Sequence, residues 1–299
     1  MKRRNLLLGG CAAALGLGLK GFPTGWAAEA SSKKRRVLFF TKSSGYEHAV
    51  VKREGDALAL AERVLTDLGA RHGFDVVATK DGSVFTPSGL DAYDAVFFYT
   101  TGDLTTAGTD KNPPMSPDGK AALFEAISNG KGFLGSHCAT DTFHSPGEGR
   151  AEQPIDERDP YIQMIGGEFI VHGKQQESRI EVADDAFPAT KGLNDYTLLD
   201  EWYALKNFAP DLHVLLVQQT QGMEGAMYHR PAYPATWARR HGKGRVFYTS
   251  MGHRDDVWTN PLFQQVLLGA ISWATGDVEA DVTPNLDSVT PGARELPPT

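Results

Sequence analysis

The stretch Gly135-Ser136-His137-Cys138-Ala139-Thr140-Asp141-Thr142-Phe143-His144 crowds two imidazoles, a thiol, a carboxylate and several hydroxyls into one turn. It follows a short apolar run, Gly132-Phe133-Leu134, which itself follows a helical pattern. An open α/β sheet presents its reactive groups there, outside the carboxyl ends of its strands. Other histidines take comparable places: His48 ends the first loop, His172 follows Gly166-Gly167-Glu168-Phe169, and His253 follows the last strand. Imidazole suits proton transfer near neutral pH and binding of zinc or a similar ion. Any one of these, taken singly, reads as a surface or hydrogen-bonded structural histidine. The set, gathered at strand ends, reads as an active site. The chain has no His-Glu-x-x-His helix and no cysteine ligand pair, which argues against a closed structural zinc site. An open divalent-metal site built from His137, His172 and His253 stays available, and no nucleotide cofactor is expected.

Cys138 invites a second reading, a cysteine hydrolase with His253 as base. Against it, a free cysteine is among the most buried residue types. In a strand-to-helix elbow the exposed apex is the residue two after the first glycine, and counting from Gly135 makes that His137. Asp200-Glu201-Trp202-Tyr203 joins carboxylates to aromatics at the end of a strand. Aromatic faces suit the C–H faces of sugar rings and carboxylates suit their hydroxyls. A strand with Trp202 in the core is an equal alternative, and Trp237 and Tyr248 read as core.

Short apolar runs at 37–40, 74–78, 95–99 and 132–134 read as buried strands, with helices at 53–71 and from Ser116-Pro117 to Gly130 between them. This order predicts a doubly wound, mostly parallel α/β sheet with helices on both faces. The middle predicts a helix at 157–165 and strands near 178–182, 197–205 and 213–219. A strand at 244–250 and an amphipathic helix at 260–274 follow. Residues 275–299, rich in Pro, Asp and Gly, predict a mobile tail.

Residues 1–30 read as an export signal: Lys2-Arg3-Arg4, an apolar run from Leu6 to Leu19, then small residues. Arg3-Arg4 suggests the twin-arginine route. Leu8-Gly9-Gly10-Cys11 faintly suggests a lipoprotein box, but the apolar core would then lie mostly after the cysteine. Removal of Lys2, Arg3, Arg4 and Lys20 with Glu29 takes the net charge from −7 to −10. So acidic a chain is a poor partner for nucleic acid or an anionic membrane. Cys138 would be its lone cysteine, which excludes an internal disulfide.

Ser44-Gly45-Tyr46-Glu47-His48, Gly135-Ser136-His137 with Thr140-Asp141, Gly166-Gly167-Glu168-Phe169 with His172, Asp200-Glu201-Trp202-Tyr203, and Pro234-Ala235-Thr236-Trp237 through Gly252-His253 together resemble the trehalose-utilisation (ThuA-like) family. The resemblance spans residues 36–274 and implies a flavodoxin-like fold similar to that of class I glutamine amidotransferases. Those enzymes carry Gly-x-Cys-x-Gly at the elbow and a later His-x-Glu. Here His137 takes the nucleophile's place and His253-Arg254-Asp255 falls where the pair would be, which tells against glutamine hydrolysis. Phe187-Pro188 departs from a histidine–proline pair seen in the family.

The resemblance implies an enzyme of carbohydrate catabolism, which the export-signal reading would put in the periplasm or outside the cell. It would cleave a glycosidic C–O bond, for example of a 3-keto-glycoside, by hydrolysis or elimination. In this reading His137 is ligand or electrophile, His253 is general base oriented by Asp255, and Glu201 binds hydroxyls or shuttles protons. His48, Asp141, Trp202 and Tyr203 line a pocket for a small carbohydrate. A homo-oligomer is compatible with it, and a non-catalytic sugar-binding protein is the rival from another class.

Overall fold

Apolar segments of four or five residues, each buried from both sides, form the centre of the main sheet. The computed structural model describes residues 34–297, so the export-signal reading of residues 1–30 lies outside the described residues. The strands are β1 (Arg36–Phe40), β2 (Asp75–Thr79), β3 (Ala95–Phe98), β4 (Gly132–Ser136), β5 (Glu168–His172), β6 (Gln176–Val182), β7 (Tyr196–Asp200), β8 (Tyr203–Lys206), β9 (His213–Gln218), β10 (Tyr233–His241) and β11 (Gly244–Thr249). The helices are α1 (Leu60–His72), α2 (Pro87–Leu90), α3 (Pro117–Ser128), α4 (Pro160–Ile165), α5 (Asp255–Thr259), α6 (Pro261–Ala274) and α7 (Leu286–Val289).

The main sheet runs β2-β1-β3-β4-β11-β10-β9-β6-β7. It is parallel from β2 to β11 and antiparallel beyond. A Cβ added at Gly132 would meet Ala274 of α6, and one added at Gly135 would meet Ile165 of α4. Alternate residues of a strand point to opposite faces, so α6 and α4 cover opposite faces of β4. This is the doubly wound α/β fold expected from the element order. Because β1, β3, β4 and β11 are parallel, their carboxyl ends open on one rim, and the loops carrying His48, His137 and His253 leave from it.

Three local features depart from the sequence reading. Helix α1 starts at Leu60, not near 53, because Gly55 sits at φ 60 and breaks the turn. The buried Glu62 then seals the helix start by accepting the Ala59 N–H (2.8 Å), the Thr41 hydroxyl (2.6 Å) and Arg53 Nε (2.8 Å). The single strand expected over 197–205 is two, β7 and β8, and β8 leaves the main sheet to pair with β5. Residues 275–297 are not a loose tail. Asn285 imitates a strand neighbour for Val214, accepting its N–H (2.6 Å) and donating to its carbonyl (3.1 Å), while Leu286 and Ala293 are buried. Single anchoring residues hold this segment, and composition does not reveal them. Among the described residues no helix is long and apolar enough to cross a membrane.

A polar clasp fixes the segment after β4. Buried Glu168 accepts the Ser145 N–H (3.0 Å) and the Asn207 amide (2.6 Å), and pairs with His144 Nδ1 (3.1 Å). His144 Nε2 pairs with Asp141 (2.8 Å). Both ring nitrogens face carboxylates, so the hydrogen bonds to Asp141 and then Glu168 outweigh burial and hold the imidazolium up to about pH 9, against an ordinary 6.5. Its stabilising contribution is complete below pH 6.5 and is lost as pH rises through about 9. Solvent screening of this partly exposed group leaves about 1 kcal/mol, roughly a 2 °C shift in Tm. Melting curves between pH 6 and 10 should show this loss, and His144→Ala should remove it. A His144→Ala variant with the wild-type pH dependence would refute the assignment.

Candidate active site

The site is built on a break and an elbow. At the elbow β4 delivers His137 with φ 45, a left-handed conformation that a non-glycine residue adopts only when its surroundings hold it there. They do: Tyr248 donates its hydroxyl to the His137 carbonyl (2.7 Å), and Ser136 donates to the Met251 carbonyl (2.7 Å). The His137 Nδ1 faces the Ser250 carbonyl at 3.1 Å. A carbonyl only accepts, so Nδ1 carries a proton there and Nε2 faces the site.

At the break, between β7 and β8, buried Asp200 ends one strand and Glu201 turns into the site. Asp200 accepts the N–H groups of Glu201 (2.9 Å), Gly252 (2.7 Å) and Arg254 (3.2 Å). It therefore grips the chain on both sides of His253. Burial raises this carboxyl above its ordinary value, and His137 and the backbone donors work against that shift. The Gly252 carbonyl is held in turn by the Tyr99 hydroxyl (3.0 Å) and the Trp258 indole N–H (2.7 Å). Gly252 has φ 121, and a side chain there would come within 2.9 Å of Ser136 Oγ, so glycine is required.

Four side chains converge. One donor atom each from His48, His137, Glu201 and His253 lies within 4.8 Å of all the others. Glu201 Oε2 is 3.1 Å from His253 Nδ1 and 3.6 Å from His137 Nε2, and the two imidazoles are 3.2 Å apart. Burial tends to raise the Glu201 carboxyl, but His137 and His253 outweigh it and hold it well below the usual carboxylate range. His48 is buried, and burial followed by repulsion from His137 and His253 lowers its pKa to about 2, so it is neutral at physiological pH. Its Nε2 lies 3.4 Å from the Tyr203 hydroxyl, and its Nδ1 has no hydrogen-bond partner among the described residues. Tyr203 forms the floor, its ring 4.2 Å from that of His137.

The predicted His137, His253, Glu201, His48 and Tyr203 thus come together. His172 reaches only the edge: its Nδ1 is 3.2 Å from Glu201 Oε1 and its side chain is 43% exposed, and His48 takes the place foreseen for it in the centre. Two expectations fail. Asp255 does not orient His253; it is exposed in the first turn of α5, where a helix start favours a carboxylate, and Glu201 and Asp200 do that work. Trp202 offers no face to a sugar, because it is buried with its indole N–H on the Gln176 carbonyl (3.0 Å). Asp141 is engaged by His144 in the clasp. Cys138 is buried behind the elbow and burial raises its thiol well above the ordinary value, the opposite of an activated nucleophile. The sequence reading missed the part played by Asp200, whose signal was its place directly before Glu201 at a strand end.

Three imidazoles and one carboxylate form a donor set that zinc or a similar divalent ion takes. The His137 N–H on a backbone carbonyl is the outer contact that fixes a ligand's tautomer, and the orphaned His48 nitrogen is a further donor without a proton partner.

Fold and site together define a doubly wound α/β domain of amidotransferase-like architecture with histidine in place of the elbow nucleophile. Over residues 36–274 the sequence matches the family described as ThuA, trehalose utilisation, and the chain belongs to that family. A ThuA-like protein of Bacteroides uniformis shares the fold with a TM-score of 0.59 at 20% identity, covering 85% of this chain and 95% of that one. A ThuA-like protein of Parabacteroides merdae gives 0.56 at 19% identity, covering 83% and 92%. A cytoplasmic protein of Salmonella typhimurium gives 0.51 at 12% identity, covering 80% and 98%. Among curated proteins nothing matches.

Asp200→Ala would strand three N–H groups, two of them in buried hydrogen bonds, at the break and at the His253 loop. The expected cost is about 3 kcal/mol, a fall in Tm of roughly 6–12 °C. A thermal melt that moves by less than about 2 °C would show that Asp200 does not hold this junction.

Proposed function

We propose that the protein is an exported carbohydrate-catabolic enzyme that cleaves a glycosidic C–O bond of an oxidised sugar such as a 3-keto-glycoside, with a divalent cation held by His48, His137, Glu201 and His253. The observation that carries this reading is the convergence of those four donors, with the His137 tautomer set by Ser250. The family's description as trehalose utilisation supports a disaccharide as substrate. The signal-like residues 1–30 support export to the periplasm or the medium.

A C3 ketone acidifies the neighbouring C2–H. When bound, a divalent ion polarises a carbonyl oxygen and stabilises the negative charge that develops on it. In this reading His172, at the exposed edge beside Glu201, accepts the C2 proton. The C2–H electron pair then forms the C1=C2 double bond, the C1–O bond breaks, and the departing oxygen leaves as a hydroxyl once protonated. Addition of water to that double bond completes a net hydrolysis. Tyr203 orders the centre through His48 and His137 and closes it from below.

The test is zinc content by elemental analysis together with turnover of 3-keto-trehalose. His137→Ala and His253→Ala should each lower activity by about 100-fold or more and weaken metal binding by roughly 10- to 100-fold. Dialysis against a chelator should abolish turnover, and added zinc should restore it. Wild-type turnover in both variants would refute the assignment.

A further inference from the structure

Beside the buried centre stands a side chain that burial should have claimed and did not. Tyr46 is 69% exposed, the highest value among the exposed large hydrophobic residues of the described chain. Its ring packs at right angles to that of His48, with centroids 5.0 Å apart and planes at 88°, so it borders the site while most of its surface stays open to solvent.

The loop beneath it is not loose. Thr101 donates its hydroxyl to the Tyr46 carbonyl (2.9 Å) and its carbonyl accepts from Ser44 (2.8 Å) and Gly45 (3.1 Å). Thr109 donates to the Gly45 carbonyl (2.6 Å), and the Ser43 N–H donates to Asp110 (2.8 Å). Asp110 is itself locked by a buried ion pair with Lys42 (3.1 Å). The fold thus holds an apolar ring in water, on a fixed backbone, next to the candidate centre. A rigid exposed aromatic loses little entropy when a ligand ring covers it.

We propose that Tyr46 is the stacking platform for a pyranose ring of the substrate, and that it selects rings with equatorial hydroxyls. This rests on the carbohydrate reading above. Equatorial hydroxyls leave a face of C–H groups that can lie flat on the phenol, whereas an axial hydroxyl lifts that face away. Tyr46 acts on binding and belongs to the ground state and transition state alike, so its loss falls on KM and not on kcat.

The experiment is calorimetric titration of wild type, Tyr46→Ala and Tyr46→Phe with trehalose and with 3-keto-trehalose, alongside turnover and zinc content. Tyr46→Ala should weaken binding roughly tenfold with Tm and zinc content as in wild type, since the side chain packs against little. Tyr46→Phe, which keeps the ring, should restore most of the affinity. If Tyr46→Ala binds both sugars as wild type does while turnover still requires His137, the platform falls and the enzyme reading stands. If sugars bind through Tyr46 but no product forms, the platform stands and the enzyme reading falls. If wild type binds neither sugar, both fall.

Discussion

The Asp200 carboxylate is the interaction on which the site depends. It lies where β7 stops and β8 begins, and it satisfies backbone donors from both ends of the machinery, Glu201 on its own chain and Gly252 and Arg254 across the sheet. Without an acceptor there, breaking a strand inside the protein would leave N–H groups unpaired at a cost of about 1–3 kcal/mol each. With it, the break is tolerated, Glu201 turns inward, and His253 is held from both sides. One buried acid thus fixes the distance between the carboxylate and the imidazole that meet it. Tyr99 and Trp258 repeat the same device on the Gly252 carbonyl.

The centre so formed is electrostatically incomplete. His137 cannot turn its protonated Nδ1 inward without abandoning Ser250. His48 is too deeply buried, and too close to two other imidazoles, to take up a proton at physiological pH. Glu201 stays ionised because those imidazoles face it. Three imidazole nitrogens and a carboxylate oxygen therefore share a small space. A single divalent cation would draw on all four donors at once.

How much of this was legible depends on whether a residue acts through local pattern or through long-range contact. The parallel strands announced themselves as short apolar runs, and counting from Gly135 put His137 at the apex, where the structure has it. His253 and His48 followed from strand-end position alone. The strand break at Glu201-Trp202 was not legible, because β-propensity runs through it and only Asp200 with its distant donors stops the strand. For the same reason Asp255 was overvalued: nearness in sequence to His253 counted for less than the start of α5, which turns it outward. Trp202 was ambiguous because alternation says which residues share a face, not which face a strand shows after it changes sheets. The segment after residue 275 was misread because the anchors Asn285, Leu286 and Ala293 are single residues without a period.

The histidine at the elbow also explains why the neighbouring thiol is buried. An elbow exposes one residue and drives the next into the core, so the apex and Cys138 cannot both face substrate. With cysteine at the apex the same fold would present a nucleophile, with His253 within reach as its base. With histidine there, the apex presents an imidazole nitrogen instead of a thiol, 3.2 Å from His253. The backbone cost of φ 45 at His137, on the order of 1–3 kcal/mol, is the same in both cases. What the residue at the apex changes is the group that the rigid elbow aims: here an imidazole, directed at His48, Glu201 and His253.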